Sequence, residues 1–119
     1  AMAGNNGTVE VWGDGMQTRS FLFIDDCIDA TIKLMRSDCK VIVNIGSDQL
    51  VSINDLVEII SSIADRKIVK KHIDGPLGVR GRNSDNQLIK KELSWQPSIT
   101  LKEGINQTYN WIIDQINKG

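Results

Sequence analysis

The chain has little of what most catalytic and metal centres are built from. Its 119 residues hold two cysteines, one histidine and one tyrosine, and neither Cys27 nor Cys39 belongs to a CxxC pair. Zinc spacings are therefore excluded, no metal site is expected, and two buried reduced thiols are the expectation. GxSxG, HExxH, Tyr-x-x-x-Lys and GxGxxG patterns are missing; Gly75, Gly78 and Gly81 stand at GxxGxxG spacing, but no helix pattern begins before Asn86, five residues beyond the last of them. No nucleophile elbow, zincin helix or dinucleotide-binding loop can be read from these residues. Apolar runs fall well short of the roughly 18 residues that span a bilayer, and the start lacks the basic and apolar regions of a secretory signal. A cytoplasmic protein without a membrane partner is expected. The formal net charge of −1 excludes nucleic-acid binding carried by bulk electrostatics.

Proline is also scarce, two residues in all, and Pro76 opens the most distinctive stretch: Gly75-Pro76-Leu77-Gly78-Val79-Arg80-Gly81-Arg82-Asn83-Ser84-Asp85. Such a loop cannot pack a core. It can hold two guanidinium groups on permissive glycine backbone, beside a helix start whose free N–H groups favour anions. Because guanidinium matches phosphate oxygens bidentately, Arg80 and Arg82 read as a clamp for a diphosphate, with a solvated basic loop as the alternative. Arg66, Lys67, Lys70, Lys71, Lys90 and Lys91 surround them, against Asp74 and Asp85 alone.

Patterning predicts a single α/β domain. Strands are expected at 8–12, 21–24, 41–45 and 68–73, the last as an edge or rim strand. Asp25 and Asp26 are expected to cap and charge a helix with Ile28, Ile32 and Met35 on its apolar face, and Asn54 to cap a second helix. Further helices are expected at 86–93 and 102–118, the first stopped by Pro97. The packing set is Phe21, Phe23, Ile28, Ile32, Val43, Ile45, Leu56, Ile60, Ile112 and Ile116. Residues 1–6 read as a cloning remnant. Asp25–Asp26 pairing and His72 as a general base remain open beside their plainer readings, capping and a rim histidine.

Four segments carry a resemblance: 9–26 (Val-Glu-Val-Trp-Gly-Asp-Gly-Met-Gln-Thr-Arg-Ser-Phe-Leu-Phe-Ile-Asp-Asp), Val-Asn-Ile-Gly-Ser-Asp at 43–48, Arg-Gly-Arg-Asn-Ser-Asp at 80–85 and Leu-Ser-Trp-Gln-Pro at 93–97. In order and spacing they are similar to the C-terminal part of the extended short-chain dehydrogenase/reductases that act on nucleotide sugars, the NAD-dependent epimerase/dehydratase family. The whole stretch from 9 to 117, and the loop at 75–86 especially, is most similar to the branch that epimerises GDP-mannose at ring carbons 3 and 5.

The resemblance implies the small C-terminal substrate-binding portion of a Rossmann-type nucleotide-sugar epimerase, spanning residues 1–119. NAD and the Tyr/Lys pair would belong to an N-terminal Rossmann domain absent from this sequence, leaving no catalytic or cofactor-binding residue here and an inactive fragment. In the full-length enzyme, a homodimer, GDP-mannose would be converted to GDP-L-galactose. Arg19, with Arg80 or Arg82, would bind its diphosphate; Trp12 to Gly15 would turn near the nucleotide, and Asn44-Ile45-Gly46 would pack on the Rossmann domain. Ser94 departs from the family's usual glycine at a helix end. Other readings are a different NAD-dependent nucleotide-sugar epimerase, dehydratase or decarboxylase, a free-standing nucleotide- or anion-binding module, and a structural interaction domain.

Overall fold

A computed structural model describes residues 7–76 and 78–119. The expected remnant at 1–6 lies outside the described residues, as does Leu77 of the loop. Eight elements follow one another: β1 (Thr8–Trp12), β2 (Thr18–Ser20), α1 (Ile24–Met35), β3 (Leu50–Ser52), α2 (Ile53–Ile63), β4 (Val69–Ile73), α3 (Gln87–Leu93) and α4 (Leu101–Lys118). The α/β class and the four helices agree with the patterning.

The strands form two separate ribbons. β1 and β4 pair in parallel from Thr8–Val69 to Trp12–Ile73, and Lys71 meets Glu10 across them. β2 and β3 pair antiparallel, with Arg19 opposite Val51. The expected strand at 21–24 is corrected: pairing stops at Ser20, and Phe23, extended at ψ 145°, is already the N-cap of α1. The expected strand at 41–45 is irregular backbone. Its Asn44 and Gly46 groups bond the 85–86 backbone and side chain instead of a neighbouring strand.

Two caps also differ from expectation. Neither Asp25 nor Asp26 caps α1; both lie in its first turn, where carboxylates suit the helix dipole. Ser52, not Asn54, caps α2: its Oγ accepts the Asp55 N–H at 3.0 Å and donates to Asp55 Oδ2 at 2.6 Å. Asn54 is thereby free to work elsewhere. A reciprocal Thr100–Glu103 capping box starts α4.

The core is a side-chain cluster shared by α1, α3 and the residues just after α3. Ala30, Ile89, Leu93 and Trp95 are buried together, with Leu22, Leu34, Cys39, Val43 and Ile45 packed around them. Trp95 Nε1 donates to Asp29 at 3.1 Å. Asp26 is buried, and its carboxylate accepts the Ser98 N–H, the Ser98 hydroxyl and the Ile99 N–H at 2.7–3.1 Å. Burial acts to raise the Asp26 pKa, but these hydrogen bonds outweigh it and hold the carboxyl below its ordinary value.

The expected packing set holds only in part. Val43 and Ile45 pack against the core and Phe23, Leu56 and Ile60 are half-buried, whereas Phe21, Ile28, Ile32, Ile112 and Ile116 are exposed. α1 carries two stripes at helical spacing. Asp26, Ala30 and Leu34 face the core, and the bulkier Ile24, Ile28, Ile32 and Met35 face outward. Patterning selects the larger side chains; the small alanine and the buried carboxylate concealed the face that packs. Cys27 and Cys39 are likewise free but half-buried.

Candidate anion-binding site

Arg19 is fixed by β2. Its backbone pairs with β3, and its Nη1 donates to the Thr18 carbonyl at 2.7 Å. The 78–86 loop reaches the same place from the far end of the sequence. Thr18 N–H donates to the Arg80 carbonyl at 2.9 Å, and Thr18 bridges Gly81 in parallel. A Cβ on Gly81 would meet Thr18 Oγ1 at 2.9 Å, so this approach needs glycine.

Beyond Arg82 the loop is sewn to the 44–48 segment. Asn83 donates to the Asp48 carbonyl at 3.2 Å and Asn86 to the Gly46 carbonyl at 2.8 Å, while Ser84 donates to Asn86 Oδ1 at 2.7 Å. Gly46 is again required, because a Cβ there would lie 2.6 Å from Ser84. Between these seams opens a hollow of about 390 Å³ lined by Arg19, Ser20, Asn44, Gly46, Arg82 and Ser84 among others. Its lining contains two cations and no carboxylate. Among the described residues Arg82 has no ion-pair partner. Ser47, Asn83 and Ser84 also line a larger polar hollow of about 710 Å³, which makes the two neighbours.

Of the arginines expected at the site, Arg19 and Arg82 come together and Arg80 does not line the hollow. Arg80 instead chelates Asp14, with Nη1 at 2.9 and 3.1 Å from the two carboxylate oxygens. The Met16 N–H and then Arg80 hold the Asp14 carboxyl below its ordinary pKa. Gly13 and Gly15 flank Asp14 with φ of 69° and 70°. Asn44 and Gly46, which the resemblance turns toward another domain, line the arginine hollow. Their polar types and spacing alone do not signal this; the 41–45 run looks like a buried strand. His72 donates to Asn54 at the rim of β4, 3.0 Å away. Asp25 is exposed while Asp26 is buried on Ser98 and Ile99. Among the described residues no three His, Cys, Asp or Glu side chains converge as a metal set, and no helix is long and apolar enough to cross a membrane.

The model of the NAD dependent epimerase/dehydratase family matches residues 1–46. GDP-mannose 3,5-epimerase 1 of Oryza sativa subsp. indica is 56% identical over 109 residues, which is 92% of this chain and 29% of that protein. This chain is similar to members of the NAD dependent epimerase/dehydratase family. GDP-mannose 3,5-epimerase of Arabidopsis thaliana is 54% identical over the same shares of the two chains. The fold agrees with a solved UDP-N-acetylglucosamine 4-epimerase from Methanobrevibacter ruminantium in complex with UDP-N-acetylmuramic acid. That likeness has a TM-score of 0.84 and 27% identity, over 91% of this chain and 35% of the other. The chain thus spans about 29% of the length of the plant relatives it matches.

The dinucleotide implied by the family name does not fit the described residues. None of the four helices starts on a glycine-rich turn. The Gly13–Gly15 turn joins two strands, and Asn54 Oδ1 lies 2.2 Å from where a Cβ on Gly15 would stand.

Proposed function

We propose that this chain is the diphosphate-binding portion of a longer NAD-dependent epimerase whose substrate is GDP-mannose and whose product is GDP-L-galactose. The observation that carries this reading is the meeting of Arg19 and Arg82 in one hollow free of carboxylates. Two guanidinium groups facing such a space suit the two phosphoryl groups of a nucleotide sugar, each able to take a bidentate contact. The adjoining polar hollow offers room for the rest of the ligand. GDP-mannose is favoured over other sugar nucleotides by the identity to the two plant enzymes.

The reading also assigns the outward stripe of α1 to an interface with the remainder of the longer protein. Ile24, Ile28, Met35 and Ile42 are 49–95% exposed. The radius of gyration is 16.9 Å, against roughly 13–14 Å for a compact domain of this length. Both features suit a chain that packs on further structure.

A chimera tests the whole proposal. This chain replaces the matching segment of the Arabidopsis enzyme, and GDP-mannose turnover is followed with NAD supplied. Epimerisation at both ring carbons is expected. A folded chimera that binds GDP-mannose but turns over only another nucleotide sugar contradicts the substrate; one that binds no nucleotide supports a stand-alone module of other purpose.

A further inference from the structure

The geometry points to the Asp14–Arg80 pair as a positioning latch that sets where Arg82 stands relative to Arg19, an inference that rests on the diphosphate reading of the hollow. The two arginines of the hollow sit one residue beyond the Thr18–Gly81 bridge, one on each strand of that seam. Whatever fixes the seam fixes their separation. The Thr18–Arg80 backbone bond and the Arg80 Nη1 contact shared between both Asp14 carboxylate oxygens are its polar ties.

Asp14 is a firm anchor. Its turn is tied to β4 by the Gly13 N–H on the Ile73 carbonyl at 2.8 Å and to α2 by the Asn54 N–H on the Gly15 carbonyl at 3.0 Å. Asn54 Nδ2 donates to the Asp14 carbonyl at 2.9 Å, and its Oδ1 accepts from His72. The close approach of Asn54 to Gly15 leaves no room for a side chain there. Asp14 Oδ1 also accepts the Met16 N–H at 2.9 Å, which fixes the carboxylate in the plane of the turn. Arg80 is therefore held by a group that two elements have already placed.

Coulomb attraction and positioning predict opposite signs for one substitution. Asp14→Asn removes a negative charge near an anion site, so attraction alone makes anions bind more tightly. Loss of the latch lowers the fraction of loops in the binding conformation, so anions bind more weakly. Asparagine retains the acceptor for Met16, which leaves the turn intact and isolates the pair. An exposed pair of this kind shifts the equilibrium by up to about fivefold.

The test is calorimetric titration of inorganic pyrophosphate into the wild-type chain, Asp14→Asn, Arg80→Ala, Arg80→Lys and the Asp14→Asn/Arg80→Ala double variant. Weakening of up to about fivefold is expected in Asp14→Asn, with the double variant no weaker than Arg80→Ala and with Arg80→Lys partly restored. Unchanged or tighter binding in Asp14→Asn overturns the latch. If Arg82→Ala binds pyrophosphate as well as wild type, the diphosphate reading falls separately. Amide exchange across residues 79–84 then decides the latch alone: faster exchange in Asp14→Asn upholds it, and unchanged exchange overturns it.

Discussion

Two regions of this molecule are held by different forces. In the cluster shared by α1 and α3, apolar side chains are enclosed with almost no water contact, and Asp26 is buried on the same helix. Around the arginine hollow, order comes instead from main-chain and amide hydrogen bonds, close glycine contacts and an exposed ion pair. Burial fixes a fold, but it does not leave a charged group available for a ligand. The polar seams keep two guanidinium groups open while still defining their places.

The contrast is broken most strongly at Ile89, which is fully buried. Ile89→Ala should lower the unfolding free energy by about 3 kcal/mol, from lost transfer energy and the cavity left behind. Denaturant unfolding measures the loss, and anion affinity of the folded fraction should stay at the wild-type value. A parallel loss of affinity would show that the two regions are not separable.

Asp26 comes next. Asp26→Ala leaves three donors without their acceptor and should cost about 2 kcal/mol. Its folded pKa is depressed below the ordinary carboxyl value, so its contribution is fully present above that ordinary value and is lost as pH falls through the lower, folded value. Stability followed from pH 6 to pH 2 should therefore decline less steeply in Asp26→Asn than in wild type. Equal slopes would mean that the carboxylate is not the acid-sensitive staple of this region.

The smallest change sharpens the comparison at the end of α3. Ser94 is left-handed, with φ 48° and ψ 39°, so serine occupies backbone that glycine adopts without cost. Ser94→Gly should stabilise the chain by about 1 kcal/mol, read as a higher denaturation midpoint with pyrophosphate binding unchanged.

Much of this was legible in the sequence. The strands at 8–12 and 68–73 and all four helices follow from β-branched runs, helical spacing, Pro97 and the turn residues. The stretch at 75–85 stood out in the sequence because glycine and arginine alternate where no core can form. What was not legible depended on contacts between distant segments. The apolar run at 41–45 promises a strand, yet among the described residues no partner strand reaches it, and Asn44 and Gly46 turn to 85–86 instead. Ala30 and Asp26 hid the buried face of α1 because one is small and the other charged. The different tasks of Arg80 and Arg82, two residues apart, became visible only when Asp14 was placed beside one of them.

The pairing of Arg19 with Arg82 is tested most directly by titrating GDP into the wild-type chain, Arg19→Ala, Arg82→Ala and, as a control for general charge, Arg66→Ala, all at one salt concentration. Each guanidinium removed from the hollow forfeits charge-assisted hydrogen bonds of roughly 1.5–3 kcal/mol, a fall in affinity of about ten- to a hundredfold. Arg66→Ala should bind within about twofold of wild type, since an exposed distant charge is largely screened. Arg19→Ala and Arg82→Ala variants that remain folded and bind GDP as the Arg66→Ala control does would contradict the account.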